Sequence, residues 1–306
     1  MKLKRTGIIL VLIVSAALTL QACGPGESPT GEDAANAIET SVAATIEAGQ
    51  VQDTAIPQPT PIWTIQPTVT ASPPETNFDY AGLRFYFNDL LADNITAGVN
   101  PGLYDENTPY WSTPEYREYI FNNWVLSDAF HTPAIRIYPV AEFIAMNANV
   151  GGALAALDAA VQAEPLNIGG LSVPDLFNAG QLYISNPRAM RFQNGYGARW
   201  LSQYGQAYSL VGWPHLFYTF QGFTDDGLYY VSVILPVNHP SLPGIDSVPI
   251  DDAFYENFEA YAAGIRAQLE AEADNSFFPS LVLLDQLVAS LLVGSRQAAR
   301  FMLGST

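Results

Sequence analysis

Apolar and aromatic residues alternate with polar ones through the middle of the chain, and this pattern predicts β-strands. The strand-like runs are 83–87, 116–124, 134–138, 190–193, 196–204, 216–221 and 228–235. Residues 251–274 instead carry apolar side chains at helical spacing, with Phe254, Phe258 and Ile265 on one face. The chain therefore contains both strands and at least one amphipathic helix.

Two further stretches are helical in pattern. One begins at Pro139 and is stopped by Pro165, and the last begins at residues 276–279. Strands early and in the middle, with helices between them and at the end, are typical of an α+β fold. We therefore predict an antiparallel β-sheet covered by helices.

The Asn194-Gly195 pair predicts a tight hairpin, because both residues tolerate the positive φ angles of a type I′ turn. With these two residues in the turn, Met190 faces Arg199 and Arg188 faces Leu201. Arg188 and Arg199 then lie on one face of the hairpin and Arg191 on the other. Such a group is typical of arginines paired with abundant carboxylates; a small anion site is the alternative.

The N-terminus has the pattern of an export signal. Lys2, Lys4 and Arg5 precede the aliphatic run 8–20, which is shorter than the roughly 20 residues that span a bilayer. The run ends in Leu-Gln-Ala before Cys23, the only cysteine, and this box resembles that of bacterial lipoproteins. The resemblance implies removal of residues 1–22 and acylation of Cys23. A plain secretory signal is the alternative.

A stalk follows the predicted anchor. Residues 23–77 are rich in Pro, Thr, Ala and Ser, and Pro-rich chains favour extended polyproline II. The sequence thus divides into a signal peptide (1–22), a lipidated stalk (23–77) and one α+β domain (78–306). We expect the stalk to be dispensable for folding of the domain.

The negative net charge of the chain limits which partners it can bind. The whole chain has a formal charge of −18, and beyond residue 22 nine arginines, no lysine and all 30 acidic residues remain. Such a surface repels phosphate backbones, so nucleic acid is excluded as a partner. Without lysine there is no Schiff-base chemistry and no P-loop lysine.

Several short blocks resemble a group of uncharacterised bacterial lipoproteins. The blocks are Phe-His-Thr-Pro at 130–133, Tyr-Pro-Val at 138–140, Phe-Gln-Asn-Gly at 192–195, Phe-Tyr-Thr-Phe-Gln-Gly at 217–222 and Pro-Val-Asn-His-Pro at 236–240. The aromatic strand 85–87 and the closing Asp285, Val288, Ser290 and Val293 resemble PsbP-type extrinsic photosystem proteins. This second resemblance implies an α/β/α sandwich and an accessory or assembly role.

The sequence offers little catalytic chemistry. His131, His215 and His239 lack a second ligand at metal-binding spacing, and we expect them to be loop histidines bonded to backbone. No Gly-x-Ser-x-Gly elbow is present. Asp246 with Asp251 and Asp252 lacks the alternating ligands of a calcium loop. We therefore predict no catalytic residue, no metal and no cofactor.

Aromatic residues and acids are interleaved in 104–124, a combination that suits sugar rings or cations. Such aromatics also commonly cover a sheet edge. Tyr110 and Trp111 lie between turn signals, so they are the predicted ligand-binding residues. The predicted function is a non-enzymatic, lipid-anchored extracytoplasmic binding or accessory module, with an envelope protein or glycan as partner. A hydrolase with an unrecognised site and a purely structural surface lipoprotein are the alternatives.

Overall fold

The computed structural model describes residues 75–104, 106–107, 111–176, 179–244, 247 and 249–295. They belong to one compact unit, residues 69–306. Cys23, the signal peptide and nearly all of the predicted stalk lie outside the described residues. Among the residues described, no helix has the length and hydropathy required to cross a membrane.

The described residues form ten strands in two antiparallel sheets. The large sheet has the order β3-β4-β5-β9-β8-β7-β6. Its strands are β3 (Asn94–Asn100), β4 (Tyr116–Asn122), β5 (Ala134–Pro139), β6 (Gly180–Phe192), β7 (Gly195–Gly205), β8 (Phe217–Thr224) and β9 (Tyr229–Pro236). A small sheet joins β1 (Phe78–Tyr80), β2 (Leu83–Phe85) and β10 (Leu292–Val293).

Five α-helices accompany the sheets in the part of the chain that the structure describes. They are α1 (Val140–Met146), α2 (Ala148–Gln162), α3 (Asp252–Glu256), α4 (Phe258–Glu270) and α5 (Leu281–Ala289), with a short 3-10 helix at Pro174–Leu176. Side chains cap three of them: Asn147 accepts from the Asn149 N–H, Asp251 from Phe254 and Ser280 from Val282.

The prediction of a single helix at 251–274 is wrong in detail. The helical segment is divided at Asn257, whose side-chain amide donates to the Ala253 carbonyl at 2.7 Å, and it ends at Glu270. A polar side chain that bonds a carbonyl of the preceding turn competes with the helical ladder, which explains the break.

Both faces of the large sheet are covered. Because side chains alternate between the two faces along β7 and β8, Trp200 and Phe217 point into one hydrophobic cluster, which also contains residues of α1 and α2. The same alternation directs Leu201 and Tyr218 into another cluster, which also contains residues of α4, α5 and the small sheet. The fold is thus mixed α+β, as predicted from the order of strands and helices.

The observed register of the β6–β7 hairpin differs from the predicted one. Phe192 pairs with Gly195, so Gln193 and Asn194 form the turn and Arg188 lies directly opposite Arg199. The cause is tertiary, because Asn194 exchanges two hydrogen bonds with Val293 of β10. Since the shift is by two residues, Arg188 and Arg199 still share one face. Gly195 enters the ladder, where a Cβ would overlap the Phe192 ring.

The N-terminal boundary of the domain gives a testable prediction. Asn77 donates to the Phe87 carbonyl at 2.7 Å and accepts from the Phe87 N–H at 2.6 Å, immediately before β1. A chain that begins at Thr76 retains both bonds, so we expect it to melt within a few degrees of the mature chain. Loss of cooperative unfolding in thermal denaturation would contradict a dispensable stalk.

Candidate functional site

An aromatic cleft opens beside the segment that joins β3 to β4. It encloses about 220 Å³ and is called here the Trp111 cleft. Its lining residues are Trp111, Ser112, Thr113, Tyr116, Arg136, Tyr138, Phe143, Asn147 and Pro174. These residues come from β4, β5, α1 and the loops around them, so the cleft forms only when the sheet and α1 pack together.

The floor of the cleft is a row of stacked rings. The Tyr138 ring lies 4.6 Å from that of Tyr116 and 4.7 Å from that of Phe143, measured between centroids. Tyr138 and Phe143 are buried, which fixes the row in place. Neighbouring rings at these separations are attractive and rigid. The floor therefore presents a preformed apolar surface.

Polar groups lie along the wall. The Arg136 guanidinium binds the Glu118 carboxylate with an N–O distance of 2.7 Å, and about one fifth of each side chain is exposed. Buried Asn147 donates to the Ser112 carbonyl at 3.4 Å. The Tyr116 hydroxyl accepts from Asn100 at 2.9 Å. The cleft thus combines an apolar floor with fixed hydrogen-bonding groups, as is usual for small-molecule sites.

The segment that joins β3 to β4, which supplies Trp111 to the cleft, carries exposed apolar side chains. Trp111 is 41% exposed, Tyr104 62% and Leu103 58%. Leu103 and Thr113 exchange two backbone hydrogen bonds of 2.9 Å, which hold the two arms of this segment together. Large apolar groups that cluster at a surface commonly mark an interaction site.

Of the two predicted ligand-binding residues, Trp111 lines the cleft and Tyr110 lies outside the described residues. The sequence interpretation did not find Arg136, Tyr138, Phe143 or Asn147. Alternation along β5 places Arg136 and Tyr138 on one face, which was a usable signal. Most other aromatics of 104–124 are structural: Tyr119, Phe121 and Trp124 belong to the core.

A second polar group lies across the sheet, on the face that α5 covers. Arg188 and Arg199 both bind Asp274, with N–O distances of 2.9 and 3.1 Å. Both also contact Asp285, at 3.0 and 3.3 Å, and the Tyr218 hydroxyl donates to Asp285 at 3.1 Å. We call these five residues the Arg199 network.

Burial dominates the electrostatics of this network. The Arg199 side chain is only 2% exposed. Burial raises the pKa of Asp285, and the two arginines oppose that shift. Burial and the Asp285 charge together raise the pKa of Tyr218 well above its ordinary value. The arginines are thus paired with carboxylates, and Arg191 likewise binds Asp225 at 2.8 Å.

The three histidines differ in environment. His239 is buried, with Nδ1 2.7 Å from Ser241 Oγ and Nε2 2.9 Å from Ser276 Oγ. Ser276 Oγ itself donates to the Ala273 carbonyl, so it accepts from Nε2–H and is not activated as a nucleophile. His239 therefore joins two loops. The expected backbone bond is present, because the Ser241 N–H donates to Nδ1 at 3.2 Å, and two serine hydroxyls add to it.

The rings of His131 and His215 both lie near the ring of the exposed Phe130, with centroid distances of 5.0 and 4.9 Å. Burial is the main cause that lowers the pKa of His131 to about 4, and the charges of His215 and Arg136 act in the same direction. Burial also lowers the pKa of His215.

Among the residues with described positions, no group of three or more His, Cys, Asp or Glu side chains is arranged to hold an ion. Asp251 caps α3, which gives it a structural role. Asp246 lies outside the described residues.

No protein-family model, no curated protein and no solved structure matches this chain. The resemblances to bacterial lipoproteins and to PsbP-type proteins therefore stay predictions from the sequence.

Proposed function

We propose that this protein is a non-enzymatic binding module, tethered outside the cytoplasm by acylated Cys23, whose Trp111 cleft takes one ring of a glycan. The observation that carries the proposal is the exposed indole of Trp111 at the mouth of a cleft floored by Tyr116, Tyr138 and Phe143.

The chemistry of the cleft suits a sugar. Sugar rings have an apolar face of C–H groups, which packs on aromatic rings, and a hydroxyl rim that requires hydrogen-bond partners. Trp111 supplies a partly exposed ring, while Arg136 and Asn147 supply fixed polar groups along the wall. A volume of about 220 Å³ accommodates one ring rather than a long chain.

Calorimetric titration tests this assignment, with soluble tetrasaccharides of N-acetylglucosamine, glucose and mannose as probes. We expect one of them to bind, and Trp111→Ala to weaken that binding about tenfold, which corresponds to about 1.4 kcal/mol. The double variant Tyr110→Ala/Trp111→Ala should leave the melting temperature nearly unchanged, because Trp111 is partly exposed.

Tyr255→Ala is the matched control. Tyr255 is 45% exposed, close to the value for Trp111, but it lies on α3 and does not line the cleft. Its replacement should leave the affinity unchanged. Equal weakening by both variants, or no binding of any probe by the wild-type protein, would contradict the proposal of a sugar site.

The proposed anchor is tested separately. If Cys23 is acylated, metabolic labelling with a fatty-acid analogue should tag the protein, and Cys23→Ala should abolish the tag. Acyl transfer needs the Cys23 thiol, and no other cysteine is present to replace it. A tag that persists in the variant would show that the lipid is not on Cys23.

The proposal extends to the layering of the domain. An α/β/α sandwich of the PsbP type places helices on both sides of an antiparallel sheet. Packing of α1 and α2 on one face and of α4 and α5 on the other supports this layering. An accessory or assembly role, as the PsbP resemblance implies, is compatible with a binding cleft.

A further inference from the structure

The β3 strand forms one open edge of the large sheet, and β6 forms the other. All seven residues of β3 pair with β4 in one register, from Asn94 opposite Asn122 to Asn100 opposite Tyr116. Nothing in the topology of the described strands adds a neighbour on the other side of β3. Its outer backbone groups are therefore available for pairing.

The hydrogen bonds identify which groups point outward. Phe121 of β4 donates to Pro133 on the β5 side, so alternation directs the even-numbered residues of β4 toward β3. The even-numbered residues of β3 bond with them. The N–H and C=O groups of Ile95, Ala97 and Val99 therefore point away from β4. No hydrogen bond among the described residues reaches these groups.

The opposite edge is protected in the ways that natural sheets use. Strand β6 has two register shifts, contains Pro187, and carries exposed charges at Arg188 and Arg191. Helix α4 packs against it. Strand β3 has no register shift, no proline and no charged residue from Asn94 to Asn100. An edge without protection is a template for pairing with another chain.

The sequence of β3 is complementary to itself. Read antiparallel about Ala97, Asn94 lies opposite Asn100, Ile95 opposite Val99, and Thr96 opposite Gly98. In this register every outward residue meets an outward residue, so the central pairs exchange about six hydrogen bonds. We propose that β3 pairs with β3 of a second copy of this chain, about a two-fold axis at Ala97.

Charge favours this place of contact. Two copies of a strongly acidic chain repel one another over most of their surface, and a strand without charged residues is where repulsion is least. The pairing also closes. Once both β3 strands are used, the large sheet has only its protected β6 edges left, so its association stops at two copies.

Cysteine cross-linking of the full-length protein in detergent tests the register. In the proposed dimer the two Ala97 Cα atoms are about 5.5 Å apart, within the range of a disulfide. The two Gly98 Cα atoms are about 8 Å apart, which is too far. Ala97→Cys should therefore form a covalent dimer on oxidation, while Gly98→Cys should not, although its Cβ has open space.

A second variant tests the association itself. Ala97→Pro removes only an outward N–H, so it keeps the β3–β4 ladder and blocks the edge. Light scattering should give a two-copy mass for the wild type and half that mass for Ala97→Pro, with unchanged circular dichroism. A single-copy wild type at every concentration, a dimeric Ala97→Pro, or equal cross-linking at 97 and 98 would overturn the proposal.

Discussion

Asp285→Asn should destabilise the domain by about 1–3 kcal/mol, because it leaves the buried Arg199 charge with Asp274 as its only carboxylate partner among the described residues. Arg199 is almost fully buried and contacts both Asp285 and Asp274. Asparagine has nearly the same shape, so the effect reports lost charge rather than a cavity. Urea unfolding at neutral pH measures it as a shift of the midpoint.

Asp225→Asn is the matched control. Asp225 binds Arg191 at 2.8 Å, but about half of the Asp225 side chain and two thirds of the Arg191 side chain are exposed. Exposed ion pairs contribute about 0–1 kcal/mol, so this variant should unfold nearly as the wild type does. Similar midpoints for both variants would show that the Arg199 network does not stabilise the fold.

Acid should destabilise the wild-type protein through His131. The unfolded chain titrates near the ordinary pKa of 6.5, whereas burial lowers the pKa in the folded protein to about 4. Between these values the unfolded state binds the additional proton, so the free energy of unfolding falls as the pH decreases from 6.5 to 4. Linkage gives a loss of about 3 kcal/mol over this window.

The variant His131→Phe keeps a ring against Phe217, whose centroid lies 4.5 Å from that of His131, and does not titrate. Its free energy of unfolding should change less between pH 6.5 and pH 4 than that of the wild type. Urea titrations at both pH values measure the difference. An identical loss in the two proteins would place the acid sensitivity on other groups.

The sequence pattern predicted the central strands well, because β7, β8 and β9 are rich in aromatic and β-branched residues. It missed β3, whose small and polar residues suit an edge rather than a core. It also missed β6 before Met190, where register shifts and Pro187 interrupt the alternation. Edge strands bury only part of their surface, so their periodicity is weak.

The candidate site was predicted only in part, for a related reason. Turn signals around Trp111 placed it near solvent, and it is partly exposed at the cleft mouth. Tyr138, Phe143 and Asn147 reach the cleft from β5 and α1, which no local spacing relates to Trp111. Similarly, strand alternation grouped Arg188 with Arg199, but their partners Asp274 and Asp285 come from segments about 80 residues away. Such contacts depend on the tertiary fold.

The small sheet has a consequence for the export that we propose. Strand β2 near the start of the domain pairs with β10 near its end, and Ser290 accepts a hydrogen bond from the Tyr86 N–H at 2.8 Å. The Arg117 guanidinium also joins both ends, by donating to the Gly82 and Gly294 carbonyls at 3.0 Å. A chain that is threaded through a membrane from its N-terminus therefore delivers β2 long before its partner. Folding then waits for the last strand, and the exposed intermediate needs protection from aggregation during that interval.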